Sequence, residues 1–270
     1  MISPESIDDT PEPTFVELER ADAAYRLGPG ELVVRNIDWR VKRGEFWLVA
    51  GLPGFGKSQV MQTAAGILPA CAGNLRLFGR SLDSLPDGER ERTRRRVGFV
   101  FSDGGRLFND LTVAQNIALP VCYQQDRRFE EVEEQVVGLL EQASLAAFAR
   151  WSPARLNRPL RQRVALIRAL ALQPEVLFLD NPLSGLDVRE TRWWTGFIAE
   201  LLVRGQGRSG PASPGAVVVA ADDLRPWVGV ARQFALIRDG SWHHIGGARE
   251  LWASEEPLLR ELLAESSAKT

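Results

Sequence analysis

Lysine is almost missing from this chain: of 33 basic residues only Lys42, Lys57 and Lys269 are lysines, and the other 30 are arginines. With 35 acidic residues the formal charge is −2, and no polyanionic partner such as nucleic acid follows from that balance. Cysteine and histidine are scarce as well, at two each. Cys71 and Cys122 lack a CxxC spacing, and His243 and His244 are adjacent near the C-terminus. Neither a disulfide framework nor a zinc site is expected from that inventory. Long apolar runs are absent: Phe46 to Ala50 and Val176 to Leu179 fall far short of the roughly 18 residues of a membrane-spanning helix. A protein of this kind working at a membrane must be held there by something else. The opening MISPESIDDTPEPTF is acidic and proline-bearing without an apolar stretch, so it reads as a loose tail and not as a signal peptide, and the chain is expected in the cytosol.

What is present is ordinary for a globular protein. The 270 residues are 44% hydrophobic and 25% charged, with 24 glycines and 16 prolines, which suits one or two folded domains. From Thr14 to Val49 short β-type runs alternate with LGPG and KRGE turns, predicting an antiparallel layer that leads into a buried strand, Phe46 to Ala50. A glycine-rich loop and a helix over Ser58 to Ile67 follow. Further strands are predicted over Asn74 to Arg80 and Val97 to Phe101, with a charged helix over Pro86 to Arg95 between them. Thr112 opens a mainly helical region that includes Phe129 to Gln142 and Gln162 to Leu172. The run Glu175 to Leu179, bounded by Pro174 and Asp180, fits a buried parallel strand, as does Ala216 to Ala220 after a surface insertion, Gly205 to Gly215. Strands over Phe234 to Ile237 and Trp242 to Ile245 flank a turn, and Ala248 to Ala264 reads as helical. The fold class is α/β, with a helical insertion between strands.

Gly51-Leu52-Pro53-Gly54-Phe55-Gly56-Lys57-Ser58 satisfies GxxxxGK[ST], a pattern expected by chance roughly once in several hundred such sequences. Its glycines let successive backbone N–H groups turn around a phosphate, and the following helix adds its positive end. Lys57 would reach the outer phosphates and the Ser58 hydroxyl would ligate Mg²⁺. Val176 to Asp180 is an apolar strand ending in a carboxylate, the second group that holds Mg²⁺ in such a site.

The set GLPGFGKS, LTVAQNIALP, RQRVALIRALALQPEVLFLDNPLSGLD, VVVAADDL and IRDG, in this order, resembles the nucleotide-binding subunits of ATP-binding cassette (ABC) transporters. The resemblance spans about Thr14 to Ala264. It implies a P-loop NTPase with an ABC-type RecA-like core, an N-terminal antiparallel β layer and an inserted helical subdomain. The implied layout is a tail at 1–13 and one domain at 14–265, with the core at about 14–101 and 173–247. The helical subdomain then takes about 102–172 and a C-terminal helix about 248–265. It further implies ATP and Mg²⁺ as cofactors, an integral membrane permease as partner, and head-to-tail packing with a second nucleotide-binding subunit, in a homo- or heterodimer on the inner face of the membrane. Nucleotide contacts would come from Gly51 to Ser58, Gln59, and Tyr25 stacking on adenine, with Ser58 and Asp180 on Mg²⁺.

The departures from that pattern all fall on catalytic elements. Where the family has Glu as general base this chain has Asn181, and an amide cannot accept the proton of the attacking water. Asp222 stands where a switch His touches the terminal phosphate, and a carboxylate there is expected to repel it. Ser102, followed by Asp103, stands where a Gln positions water and metal. The signature LSGGQ reads Leu156-Asn157-Arg158-Pro159-Leu160, in which Pro159 removes a backbone donor and Arg158 fills the space left by a glycine. Arg158, Asp222 and Asp223 remain open as substitute catalytic groups. ATP is expected to bind while hydrolysis is slow or absent, and the alternative is a non-hydrolysing regulatory or scaffolding subunit beside an active ATPase.

Smaller features point in several directions. Glu89 to Arg96 mixes charge signs and reads as a solvated helix face more readily than as a nucleic-acid patch. Phe101 to Asn109, with Leu107 and Phe108, fits either ordinary packing or the loop that in the resembled family receives a permease helix. Trp193 and Trp194 are expected in the core or a subunit contact, and His243 and His244 point to opposite sides of a strand. Phe101 to Pro120 with Ala253 to Glu265 is similar to the ATPases of MCE-type (Mla) lipid transport, which would imply an apolar cargo. The long heptads of a DNA-maintenance ATPase are missing, and Ser184 to Asp187 with QRVALIRAL disfavours a P-loop kinase or GTPase.

Overall fold

A computed structural model describes residues 13–24, 34–206 and 213–264. Ten strands form one mixed sheet among these residues: β1 (Thr14–Ala23), β2 (Val34–Lys42), β3 (Phe46–Ala50), β4 (Ala72–Leu77), β5 (Arg80–Ser81), β6 (Val97–Val100), β7 (Val176–Asp180), β8 (Ala216–Ala221), β9 (Gln233–Arg238) and β10 (Ser241–Gly246). Their order across the sheet is β5-β4-β1-β2-β10-β9-β3-β8-β7-β6. The half holding β9, β3, β8, β7 and β6 is parallel, and the β5-β4-β1-β2 end is the antiparallel layer expected from the sequence.

The central strands are apolar on both sides because both faces are covered. Along β3, Phe46, Leu48 and Ala50 join one core with Leu177 and Leu179 of β7, while Trp47 and Val49 join the other with Val176 and Phe178. The first core is closed by α3 (Val113–Gln125), α4 (Glu133–Gln142), α5 (Arg158–Leu170) and α6 (Val188–Gln206). The second is closed by α1 (Lys57–Ala64) and the antiparallel layer. The remaining helices are α2 (Asp87–Arg95), α7 (Ala248–Ala253) and α8 (Pro257–Leu263). No helix among the described residues is long and apolar enough to cross a membrane.

Several boundaries differ from the sequence reading: α1 ends at Ala64 and not Ile67, and α4 begins at Glu133 and not Phe129. The strand expected over Asn74 to Arg80 is divided between β4 and β5, because Phe78 and Gly79 take positive φ values of 52° and 76° and make a turn. α5 begins at Arg158 and not at Gln162: Asn157 caps it by accepting from the Leu160 N–H at 3.1 Å, and Pro159 is tolerated in the first turn, where N–H groups have no helical acceptor. The helix expected over Ala248 to Ala264 is two helices, since Ser254 and Glu256 are extended before Pro257. Residues 1–12 and most of the Gly205 to Gly215 insertion lie outside the described residues. Trp194 is fully buried, while Trp193 stacks on Phe197 and lies 3.9 Å beneath the Arg163 guanidinium, which also pairs with Glu190 at 2.7 Å and so ties α5 to α6.

α3 is fixed at its start by a capping box between Thr112 and Gln115 and by Asn116, whose side chain is fully buried. Asn116 accepts from the Phe108 N–H at 2.8 Å and donates to the carbonyls of Phe108 and Thr112, both at 2.9 Å, which pins the 108–112 turn to the helix. Asn116→Leu leaves the Phe108 N–H unpaired, the Phe108 and Thr112 carbonyls keeping backbone donors, and is expected to cost about 1–3 kcal/mol, read as a lower urea midpoint with an unchanged slope.

Candidate functional site

The carboxyl ends of the parallel strands carry the site. The chain leaves β3 into Gly51-Leu52-Pro53-Gly54-Phe55-Gly56 and re-enters regular structure at Lys57, the first residue of α1. Two glycines show why the loop needs them. Gly51 has φ +157°, and a Cβ there would lie 2.8 Å from the Ile237 carbonyl oxygen; Gly56 has φ +90° at the N-cap of α1. Leu52 and Phe55 pack inward on the cores, anchoring the loop. Above it opens a cleft of about 380 Å³ lined by Pro53, Gly54, Gly56, Lys57, Ser58, Gln59, Ser102, Asp180, Asn181 and Asp222.

The structure thus brings together most of the residues singled out in the sequence. β7 and β8 pair in parallel with Asp180 opposite Ala220, so Asn181 and Asp222 emerge side by side at the sheet edge. Asn181 sits in the left-handed region at φ +46°, its N–H bonded to the Ala220 carbonyl at 2.8 Å, a conformation that asparagine tolerates better than most residues. Leu156 to Leu160 run through the N-cap into the first turn of α5 and are not part of the cleft lining; the Arg158 guanidinium lies against Gly185 instead, 2.8 Å from where a Cβ would stand. Tyr25 lies outside the described residues.

The expectation for Lys57 is sharpened by its partners. Its side chain is 6% exposed, and its ammonium donates to the carbonyls of Gly51 at 2.6 Å and Leu52 at 2.9 Å and pairs with Asp222 at 2.6 Å. The other Asp222 oxygen accepts from the Asn181 amide at 2.6 Å. The sequence marked Asn181 and Asp222 as separate departures; their bond to each other and the pairing with Lys57 were not foreseen, because both depend on strand adjacency.

Asp180 is 3% exposed and bonded to the Ser58 hydroxyl. Burial pushes its carboxyl above the ordinary carboxylate value, the Ser58 hydrogen bond and Lys57 pull it back, and Asp222 and Asp103 push it up again. The hydroxyl and carboxylate that would hold Mg²⁺ are therefore already in contact, and the open loop with the first amides of α1 suits a phosphate chain, so the residues fit both groups. Asp223, next in the chain, is held below the usual carboxylate range chiefly by its hydrogen bond with Arg225.

A second concave surface, about 500 Å³ and apolar, lies between β6 and the helices α3 and α5, lined among others by Val97, Phe99, Phe101, Leu119, Tyr123 and Leu172. Tyr123 is 80% exposed and Phe108, beside this region in sequence, 53%.

These features define a nucleotide-binding P-loop fold, and comparison with known proteins narrows it. A family model described as ABC transporter matches residues 34–184, more than half of the chain, and the chain belongs to that family. The spermidine/putrescine import ATP-binding protein PotA of Thermotoga maritima is 31% identical over 222 residues, 82% of this chain and 56% of that protein. An uncharacterized ABC transporter ATP-binding protein, y4fO of Sinorhizobium fredii, is 35% identical over 176 residues, 65% of this chain and 49% of its own. The chain thus spans about half the length of these curated relatives. The dimeric post-hydrolysis structure of the ATP-binding cassette MJ0796 bound to ADP and Pi superposes with a TM-score of 0.74 at 25% identity, covering 86% of this chain and 99% of that one. Clostridium perfringens cbiO1, described as part of the ABC transporter complex cbiONQ, gives 0.76 at 22% identity over 91% and 93% and supports the fold alone.

Because the folded protein holds the Asp180 proton more tightly than the unfolded chain, this group favours folding at low pH, and that contribution is lost as pH rises through its raised value. Asp180→Asn removes the buried charge. In Mg²⁺-free buffer at about pH 7 it is expected to raise Tm, with a difference that shrinks on acidification; a lowered Tm would contradict this reading.

Proposed function

We propose that the chain is the ATP-binding subunit of an ABC transporter, seated on the cytoplasmic side of a membrane permease, and that it couples through nucleotide binding with hydrolysis impaired. The observation that carries this reading is the cleft itself: a phosphate loop, a Ser58–Asp180 pair and a buried Lys57 are present, while the position beside Asp180 holds the amide of Asn181. When bound, Mg-ATP supplies a reactive phosphoanhydride and a metal ion that neutralises its charge. The loop glycines and the amides of α1 bind the phosphate chain, Ser58 and Asp180 hold the metal, and Gln59 and Ser102 border the same space. An amide at 181 hydrogen-bonds but takes no proton, which removes general-base assistance worth about 10²–10⁴ in rate. Asn157, at the start of the altered signature, spends its side-chain oxygen on capping α5.

The apolar groove beside β6 suits a helix of the permease, with Phe101, Leu119 and Tyr123 offering the contact. A lipid or other apolar cargo is supported by the likeness of Phe101 to Pro120 and Ala253 to Glu265 to Mla-type ATPases; relatives named for spermidine/putrescine import offer the competing cargo class. A complex that contains a permease but no MCE protein would remove the lipid assignment.

The second reading is a regulatory subunit beside an active ATPase. It is favoured by the coincidence of Asn181 with LNRPL, since a homodimer packed head to tail would carry two impaired sites. The native mass of the complex extracted with its permease separates the two: two copies of this chain support the first, and one copy beside a different nucleotide-binding chain the second.

For the site, Mg-ATP is expected to bind the purified chain in calorimetry, and Lys57→Ala to weaken binding at least about tenfold, a loss of about 1.4 kcal/mol. Equal binding by wild type and Lys57→Ala would overturn the assignment.

A further inference from the structure

The Lys57 ammonium has two hydrogen-bond acceptors and one ion-pair partner. The acceptors are the carbonyls of Gly51 and Leu52, which belong to the loop backbone. The ion pair is with Asp222 Oδ1 at 2.6 Å. An outer phosphate seeking Lys57 therefore finds one replaceable partner, and it is a carboxylate of the same charge sign as the phosphate.

That carboxylate is firmly placed. On one side of Asp222 lies β8, paired with β3 and β7; on the other, Leu224 and Trp227 are fully buried, and Asp223 is tied to the N–H and guanidinium of Arg225. The Asn181 amide grips the second oxygen at 2.6 Å, and Asn181 is itself locked in its turn by hydrogen bonds to Ala220 and Ser184. The backbone on both sides of Asp222 is thus anchored, so displacing the carboxylate means rotating the side chain with loss of two charge-assisted contacts.

We infer that Asp222 is a specificity-determining residue of the phosphate cleft: its carboxylate, held by Asn181, occupies the outermost phosphate position on Lys57 and biases the site toward a nucleoside diphosphate over a triphosphate. In a glycine-loop site the backbone amides serve the inner phosphates, while the lysine serves the outer ones. A diphosphate keeps most of its contacts with Asp222 in place, whereas a third phosphate must evict the carboxylate or lie against it. This inference rests on the reading of the cleft as a nucleotide site and adds which nucleotide it prefers.

The test is the ratio of dissociation constants for Mg-ATP and Mg-ADP, measured by calorimetry on the full chain and on Asp222→Asn. The variant keeps the side chain's shape and removes its charge. The ratio Kd(ATP)/Kd(ADP) is expected to fall by at least about tenfold in Asp222→Asn, mainly through tighter ATP binding. Asn181→Ala, which frees the carboxylate to swing aside, is expected to move the ratio in the same direction by a smaller factor, and it keeps the test open if Asp222→Asn does not fold. An unchanged ratio in folded variants that still bind nucleotide would overturn the inference and leave the nucleotide site standing. Failure of the wild type and both variants to bind either nucleotide would overturn the underlying reading as well.

Discussion

A buried ammonium with no room for error holds this site together. Lys57 sits at the first position of α1, almost closed off from water, and its charge is stabilised by two loop carbonyls and the carboxylate of Asp222, with the buried Asp180 adding a further attraction. Desolvating such a charge is expensive unless all of its hydrogens are used, so the loop, the helix start and the end of β8 are constrained together. The loop shape follows from the same requirement: Gly51 must take φ +157° against the Ile237 carbonyl so that the Gly51 and Leu52 oxygens can face the ammonium.

The parallel register converts this constraint into a site. Because β7 and β8 are paired and end together, Asp180, Asn181 and Asp222 reach the same edge, opposite the phosphate loop that follows β3. The arrangement costs stability. Asp180 is buried with its carboxyl pushed above the ordinary value, and Asn181 holds a left-handed backbone. Local penalties of this kind are characteristic of sites kept for function, and the well-filled cores on both faces of the sheet offset them.

Much of this was legible in the sequence. The phosphate loop, the strand ending in Asp180, the antiparallel layer and the helical insertion carry local signatures, namely glycine spacing, uninterrupted apolar runs and the Thr112 cap. The departures at 102, 181, 222 and 156–160 that the resemblance implies were read from neighbouring motifs, and three of those positions line one cleft. The partnership of Lys57, Asp222 and Asn181 was not legible, because it joins residues separated by up to 165 positions through the adjacency of β3, β8 and β7. The start of α5 lies before the expected Gln162, because the first turn of a helix accepts Pro159 and Asn157 caps it. The division of the C-terminal helix turned on Pro257, whose effect on the preceding residues outweighed the apolar pattern.

The central claim is that the cleft keeps the groups that bind a nucleotide and has exchanged the group that would take a proton from water. A single-turnover measurement tests it most directly, with the chain in excess over labelled Mg-ATP and above its dissociation constant. The account predicts that the label stays in ATP over many minutes, with no difference in conversion between wild type and Lys57→Ala. Rapid conversion to ADP and phosphate by the wild type, abolished in Lys57→Ala, would contradict it.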